Sequence, residues 1–301
     1  MPTNSWGFWS LFCLVTCLVT TPVRAFAGAG VQIDLSSQFN GDDVLRYSGS
    51  AFTTPSAPYD SALTSTGFYI VTSTAAARLA TLYSGSNPVG INDNGLYPAT
   101  GGRLYDVQFG FTNSTPTGAN VLIRDTTVGS SFSFSVPSNH YSQFAIFGSS
   151  GSGSSTLQIT LNYASGAPTV LPGLTLPDWF AGASGTPSGA AGTLFALTPT
   201  MSRAHVLAGT VNQYQGPAGT GAFIYGLNLA PDSTRLLTGV TVTITGLAVV
   251  NTVTNFFAAA GAIAQLPPAT PAPSSLLLVG LGLAVVGFYA AKKGSPLRSS
   301  M

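Results

Sequence analysis

Residues 156–163 read Thr-Leu-Gln-Ile-Thr-Leu-Asn-Tyr, with an apolar residue at every second position. In an extended strand, Leu157, Ile159 and Leu161 would share one face, and the polar residues between them would share the other. This period of two is typical of a strand with one buried face and one face in water. The stretch therefore predicts a half-buried β-strand.

Similar stretches recur along the chain, separated by turn signals about every 8 to 12 residues, which is the rhythm of a β-sandwich. Residues 104–111 alternate in the same way, and residues 240–244 are rich in β-branched side chains. No proline-rich or charged break and no internal repeat interrupts residues 28–264. We therefore predict an all-β fold with one β-sandwich domain over residues 28–264.

Charge is scarce: 6% of the residues are charged, against roughly 25% in ordinary proteins. All nine acidic residues are aspartates, and the only lysines are Lys292 and Lys293 near the C-terminus. Residues 28–264 carry six arginines against the nine aspartates, so this body is mildly acidic. Such a body cannot offer a cationic surface to phosphates, and we expect no nucleic-acid partner.

The N-terminus has the features of an export signal. Residues 11–19 are apolar but too short to span a bilayer, and an Ala25-Phe26-Ala27 cleavage pattern follows. We predict a signal peptide over residues 1–27, passed through the translocon and cut by signal peptidase after Ala27. The first ten residues hold no Lys or Arg, so a buried N-terminal element and lipidation of Cys17 remain alternatives. Cleavage would leave a mature chain without cysteines.

The C-terminus has three parts: a proline-rich spacer over residues 265–275, an uncharged apolar segment over residues 276–291, and a tail over residues 292–301. The apolar segment would span about 24 Å as a helix, which is marginal but sufficient for a membrane segment. Lys292 and Lys293 would stay in the cytoplasm and hold the body outside. An apolar core helix is the alternative, but Gly280, Gly282 and Gly287 disfavour it.

This tail resembles the PEP-CTERM sorting signal of exported bacterial proteins. The resemblance covers Pro271, Ala272, Pro273 and Ser274, then the apolar segment, then the two lysines. It implies recognition by an exosortase, a membrane transpeptidase that would pass the protein to the cell surface or the extracellular space. Ala272 stands where the family has Glu, which leaves open whether the tail is cut or retained.

The body resembles a galactose-binding-like jelly roll of exported bacterial proteins, which implies a single jelly-roll-like β-sandwich. The order of features that carries this resemblance is Asn92-Asp93-Asn94-Gly95, residues 107–111, residues 137–142, residues 157–163, Asp178-Trp179-Phe180, Met201-Ser202-Arg203, residues 223–227 and residues 237–244. Such folds host sugar-binding, adhesive and purely structural proteins, so the fold alone names no ligand.

Two sets of residues are candidate binding sites. Aromatic side chains in polar loops could stack on sugars, and the candidates are Tyr59, Tyr83, Tyr97, Trp179 and Tyr214. For Trp179 the alternative is a packed residue at a strand end, with Asp178 bonding nearby backbone or Arg203. Asn40, Asp42 and Asp43 offer close oxygen ligands for a structural Ca²⁺, the only cofactor we consider.

No catalytic signature accompanies these residues. The aspartates sit in no glycosidase pattern, although two carboxylates suffice for that chemistry. His140 and His205 have neither a G-x-S-x-G motif nor zinc-ligand spacing. We therefore predict a non-enzymatic protein of the cell surface or extracellular matrix, with exopolysaccharide as a candidate partner. The alternatives are a carbohydrate-binding or adhesion module and, last, a hydrolase.

Overall fold

The computed structural model describes residues 30–53, 55–60, 66–85, 87–115, 121–183, 185–207, 210–216 and 222–265. Within these ranges the chain forms eighteen β-strands, one α-helix and one 3₁₀ helix, which confirms the all-β class. The predicted signal peptide, sorting motif and apolar segment 276–291 lie outside the described residues. Among the residues that are described, no helix is long and apolar enough to cross a membrane.

The elements of the first half are β1 Gly30–Ile33, the 3₁₀ helix Ser36–Gln38, β2 Val44–Leu45, β3 Tyr47–Ser48, β4 Ala51–Phe52, β5 Thr66–Val71, α1 Ser73–Leu82, β6 Leu96–Tyr97, β7 Val107–Gln108, β8 Ile123–Asp125, β9 Ser131–Asn139 and β10 Tyr141–Gly151. Those of the second half are β11 Ser155–Tyr163, β12 Thr169–Leu176, β13 Leu194–Ala196, β14 Arg203–Leu207, β15 Thr210–Gln215, β16 Tyr225–Asn228, β17 Leu237–Leu247 and β18 Val253–Ile263.

Two antiparallel sheets pack face to face. The larger has the order β1-β18-β10-β16-β13, with β8 beside β1 on the same edge of β18, and the smaller has the order β12-β11-β17-β9. Leu157, Ile159 and Leu161 on β11 are fully buried and face the larger sheet, together with Val240 and Val242 of the neighbouring β17. The alternation predicted for residues 156–163 is therefore confirmed.

The smaller sheet contains no charged residue on any of its four strands. On its outer side, Thr241 lies opposite Thr160 on one neighbour and Ser133 on the other, and the Ser133 and Thr241 hydroxyls are 2.8 Å apart. Its edge strands are interrupted by Pro137 in β9 and Pro172 in β12. Proline lacks a backbone N–H and prevents another strand from pairing along the edge. It therefore protects these edges from association with other chains, for which many proteins use edge lysines.

The opposite face of the larger sheet is covered mainly by irregular segments, and Val44 of β2 and Ile70 of β5 also pack there. Tyr105, Val107, Phe109 and Phe111 are buried there, as the alternation of residues 104–111 predicts. However, only Val107–Gln108 forms a strand, so the predicted eight-residue strand is wrong. Burial of alternate side chains requires an extended backbone, but it does not require a neighbouring strand.

A third sheet, β15-β14-β5-β2, packs against α1. Sequence analysis did not predict this helix. Thr72 caps its first turn by accepting a hydrogen bond from the Ala75 N–H, and alanines dominate its length. Its buried side is formed by Ala75, Ala76, Leu79 and Ala80. This small layer of helix on sheet is an addition to the predicted single sandwich.

Candidate functional site

Three of the five aromatic candidates are buried. Tyr59 and Trp179 are 0% and 1% exposed, and their ring centroids lie 4.6 Å apart in the core. Tyr97 is 8% exposed, and its hydroxyl accepts a hydrogen bond from the Asn92 N–H. These three predicted binding residues are corrected to core residues, because none can offer a ring face to a ligand. Burial also raises the pKa of Tyr59 well above its ordinary value.

The surroundings of Trp179 agree with the alternative interpretation, in which it is a packed residue at a strand end. Asp178 accepts hydrogen bonds from the Gly153 N–H at 2.7 Å and the Phe180 N–H at 3.0 Å. These bonds tie the loop that carries Trp179 to the turn between β10 and β11. Asp178 is therefore a backbone-binding residue at the end of a strand.

The other two aromatic candidates remain accessible. Tyr83 is 41% exposed, and its hydroxyl donates to the Val211 carbonyl at 2.7 Å. Tyr214 is half-buried, and its hydroxyl lies 2.9 Å from Ser202 Oγ. Only Tyr83 thus keeps a substantial part of its ring free.

Tyr83 lines an open cleft of about 330 Å³ between α1, the β14–β15 hairpin and β4. The cleft is lined by Leu45, Phe52, Thr53, Pro55, Leu79, Leu82, Tyr83, Val206, Thr210 and Val211. Its floor is aliphatic, and threonines supply its polar side chains besides the bonded Tyr83 hydroxyl. Such a lining suits an apolar group better than the many hydroxyls of a sugar.

The candidate calcium ligands Asn40 and Asp42 bond protein groups, whereas the buried carboxylate of Asp43 has no hydrogen-bond partner among the described residues. Asn40 is bonded through both amide atoms to the backbone of Arg124. Asp42 accepts two hydrogen bonds from Arg46, and Asp43 lies 3.6 Å from the Arg124 Nε. Arginines therefore lie next to both aspartates and supply positive charge there, and the structural Ca²⁺ stays a prediction. In the described parts of the chain, no group of three or more His, Cys, Asp or Glu could hold a metal.

The buried carboxylates near this point are strongly perturbed. Burial raises the pKa of Asp43 well above its ordinary value, and the nearby charges of Asp42 and Asp60 add to this, against the effect of Arg124. Burial also raises the pKa of Asp42, although the bonds from Arg46 oppose it. The cluster therefore holds its protons more tightly than free aspartates do.

A more open set of side chains lies on and beside the third sheet, and we call it the arginine face. It consists of Asp60, Phe68, Arg203, His205, Gln213 and Gln215. On β14, Arg203 and His205 lie opposite Gln215 and Gln213 of β15, and His205 also lies opposite Phe68 of β5. The buried Ala204 and Val206 between them point to the other side, toward α1.

Arg203 is held from three directions. Its guanidinium carbon lies 3.8 Å from the centroid of the Phe68 ring and 4.4 Å from that of Phe180. Its Nε donates to Gln215 Oε1 at 2.7 Å. The guanidinium plane and its rotation are therefore fixed, while its terminal nitrogens donate to no described residue. Because the side chain is partly exposed, these nitrogens form a pre-oriented pair of donors.

Phe68, Phe180 and Gln215 together form a clamp on Arg203, and two aspartates position the two rings of this clamp. Asp60 Oδ1 accepts a hydrogen bond from the Phe68 N–H at 2.9 Å, as Asp178 does from Phe180. Burial lowers the pKa of Arg203, and the charges of Asp60 and Asp178 oppose that shift. Burial likewise raises the pKa of Asp60, against the Phe68 N–H and the charge of Arg203.

The two histidines bond neutral oxygens. His140 Nδ1 lies 2.9 Å from the Ser233 carbonyl, and His205 Nδ1 lies 2.7 Å from Asn212 Oδ1. The Phe68 ring lies edge-on to His205, with centroids 5.0 Å apart. Neither imidazole hydrogen-bonds a carboxylate within the described ranges.

Sequence reasoning overlooked the arginine face, although a signal was present. Arg203 and His205 are two residues apart in one predicted strand, and Gln213 and Gln215 are two apart a few residues later. Spacing by two puts each pair on one face of its strand. Reading residues 203–215 as a hairpin would have brought the four side chains together.

No protein-family model, no curated protein and no solved structure matches this chain.

Proposed function

We propose that this chain is a non-enzymatic exported protein, displayed at the cell surface or in the extracellular matrix by a PEP-CTERM-like C-terminal signal. The observation that carries the proposal is the order of the C-terminal sequence: Pro271-Ala272-Pro273, the apolar segment 276–291, then Lys292 and Lys293. The predicted signal peptide over residues 1–27 supports it, because a sorting signal of this kind acts only on exported chains.

The strand pairing supports the finer fold assignment, a jelly-roll-like β-sandwich. In the eight-strand series β8, β9, β10, β11, β12, β16, β17 and β18, the first strand pairs with the last and the second with the seventh. The third pairs with the sixth, and the fourth with the fifth. This nested pairing across two sheets is how a jelly roll is wound. The third sheet, α1 and β13 would then be additions to it.

The character of the sandwich surface also supports a role outside the cytoplasm. The smaller sheet relies on hydroxyls and amides for its contact with water and uses no charge. Such a surface is largely indifferent to ionic strength, because salt screens charges and not neutral hydrogen bonds. That property suits a protein exposed to a changing medium.

Labelling of cysteines on intact cells tests the display. Residues 28–301 contain no cysteine, and Val250 is 91% exposed between β17 and β18. In cells that express Val250→Cys, a membrane-impermeant maleimide should label the mature chain. Ser299→Cys is the matched control, and it should be labelled only after lysis if the tail is retained. Labelling of Val250→Cys only after lysis would contradict export of the body.

Removal of the tail tests the sorting signal separately. A chain truncated after residue 270 should keep its export but appear in the medium rather than with the cells. If the truncated chain stays with the cells to the same extent as the full chain, the C-terminal segment is not what retains it.

The arginine face favours a second candidate function, a carbohydrate-binding module. It brings a fixed arginine, an aspartate, a histidine and two glutamines onto one side of a sheet. Recognition of sugars needs such convergent donors and acceptors. A glycan array probed with the full chain tests this function, and the absence of saturable binding to every glycan would exclude it.

A further inference from the structure

The arginine face holds donors and an acceptor that bond no described residue. The terminal nitrogens of Arg203 donate to no described residue, and their plane is fixed by Phe68 and Phe180. Asp60 uses Oδ1 for the Phe68 N–H, while its Oδ2 accepts no hydrogen bond from a described residue. Asp60 is partly exposed, so Oδ2 can reach a ligand.

Asp60 and Arg203 are close without being joined. The charge of each acts on the other, yet the two form no ion pair. Without direct contact between them, the acceptor of Asp60 and the donors of Arg203 can each bond a ligand. A group that carries both a lone pair and an O–H would satisfy both of them.

The local charge selects the kind of ligand. The charged groups that act on Arg203 are Asp60 and Asp178, which are two formal negative charges against one positive charge. A carboxylate or sulfate on the ligand would be attracted by Arg203 but repelled by two aspartates. Neutral hydroxyl groups meet no such penalty, and the amide of Gln213 can add a hydrogen bond to them.

We propose that the arginine face binds neighbouring hydroxyl groups of a neutral glycan, with Arg203 donating to one hydroxyl oxygen and Asp60 accepting from the next hydroxyl. Gln213 is exposed at the rim and bonds a further hydroxyl. Phe68, Phe180 and Gln215 are positioning residues. The two rings pack against the guanidinium and do not present a free face, and Gln215 accepts a hydrogen bond from Arg203 Nε. This inference rests on the carbohydrate-binding function proposed above.

Affinity measurements with the full-length chain test the proposal. The chain is purified in a detergent without a sugar headgroup and titrated with dextran, galactomannan and polygalacturonate. Arg203→Lys should weaken binding of a neutral glycan about tenfold or more, because lysine keeps the charge but loses the planar pair of donors. Asp60→Asn should weaken it similarly, since the amide is a poorer acceptor. Gln213→Ala removes an exposed side chain and should weaken it a few-fold.

Arg235 supplies the matched control. Its guanidinium carbon lies 3.8 Å from the centroid of the Tyr163 ring, the same distance as that between Arg203 and Phe68. However, Arg235 lies in the loop before β17 and donates to the Ser165 and Ala167 carbonyls between β11 and β12. Arg235→Lys should leave glycan affinity within about twofold of the parent. Trp179 fluorescence reports whether each variant is folded, because this residue is buried in the core.

The outcomes separate the two proposals. Neutral-glycan binding that survives both Arg203→Lys and Gln213→Ala would overturn the assignment to the arginine face but leave the carbohydrate-binding function in place. Tighter binding of polygalacturonate, increased further by Asp60→Asn, would overturn the neutral-ligand inference. Binding to no glycan in either assay would overturn both this inference and the carbohydrate-binding function.

Discussion

Asp42 accepts hydrogen bonds from both terminal nitrogens of Arg46, at 3.0 and 2.6 Å, and neither side chain is exposed to solvent. Asp42 Oδ1 also accepts from the Val44 N–H. A two-pronged contact of this kind satisfies both charges in the interior, where an unpaired charge would be very costly. The pair thus fixes the segment that leads into β2 and from there into the third sheet.

Removal of the Asp42 carboxylate from its pair with Arg46 should strongly destabilise the fold. We expect Asp42→Asn to lower the free energy of unfolding by about 3–5 kcal/mol, because the Arg46 charge would stay buried without its counter-charge. Urea unfolding followed by the fluorescence of Trp179, the only tryptophan after residue 27, measures the change. The double variant Asp42→Leu with Arg46→Met is the control and should recover most of the loss. A loss below about 1 kcal/mol in Asp42→Asn would show that water or other groups replace the lost charge.

Asp43 should make stability depend on pH. Because its pKa in the folded chain is raised well above the ordinary value, the folded state holds this proton more tightly than the unfolded state. The resulting stability is fully present below the unfolded pKa, near 3.9, and is lost as pH rises through the folded pKa. We therefore expect the parent to gain stability relative to Asp43→Asn as pH falls toward 4.

Urea titrations of both chains at a series of pH values measure this difference. Asp42 and Asp60, whose pKa values burial also raises, are present in both chains, so the difference reports Asp43 together with its electrostatic coupling to these two residues. A pH profile of the parent that runs parallel to that of Asp43→Asn would contradict the raised pKa.

The sequence could predict what depends on local periodicity. The alternation in residues 156–163 predicted β11 and its buried side, because a half-buried strand needs nothing beyond its own pattern. For α1, the same local reasoning would have sufficed: Thr72 followed by an alanine-rich run is a helix start. It was missed because the composition of the whole chain favours strands, and composition does not constrain a ten-residue segment.

What the sequence could not predict depends on contacts between distant segments. Tyr59 and Asp43 lie in stretches rich in turn residues, yet both are fully buried under other parts of the chain. The clamp on Arg203 joins Phe68, Phe180 and Gln215, which come from three separated segments. The pairing of β5, β14 and β15 brings Phe68 and Gln215 to Arg203, and that register is not encoded in any single strand. Phe180 comes from the loop that follows β12.

Gly226 should tolerate no side chain. It lies on β16 in the middle of the larger sheet, and a Cβ built there would overlap the ring of Phe195 on the neighbouring β13. We expect Gly226→Ala to lower the free energy of unfolding by about 1–3 kcal/mol, because the ring must move in a packed core. Gly246→Ala on β17 is the control, since its Cβ would meet Thr156 at an ordinary 3.5 Å, and it should change stability by less than about 0.5 kcal/mol. Equal effects of the two changes in urea unfolding would contradict the overlap.

Export should leave a mature chain that begins at Gly28. Signal peptidase requires small residues at the first and third positions before the cut, which here are Ala27 and Ala25. We therefore expect Ala27→Leu to block cleavage and leave the full precursor, as measured by the intact mass of the protein from membranes. Phe26→Leu is the matched control, because the position between the alanines accepts large side chains, and it should be cut normally. A mature chain that begins at Cys17 with the added mass of a lipid would instead establish the lipoprotein alternative, because only that route cuts directly before the cysteine.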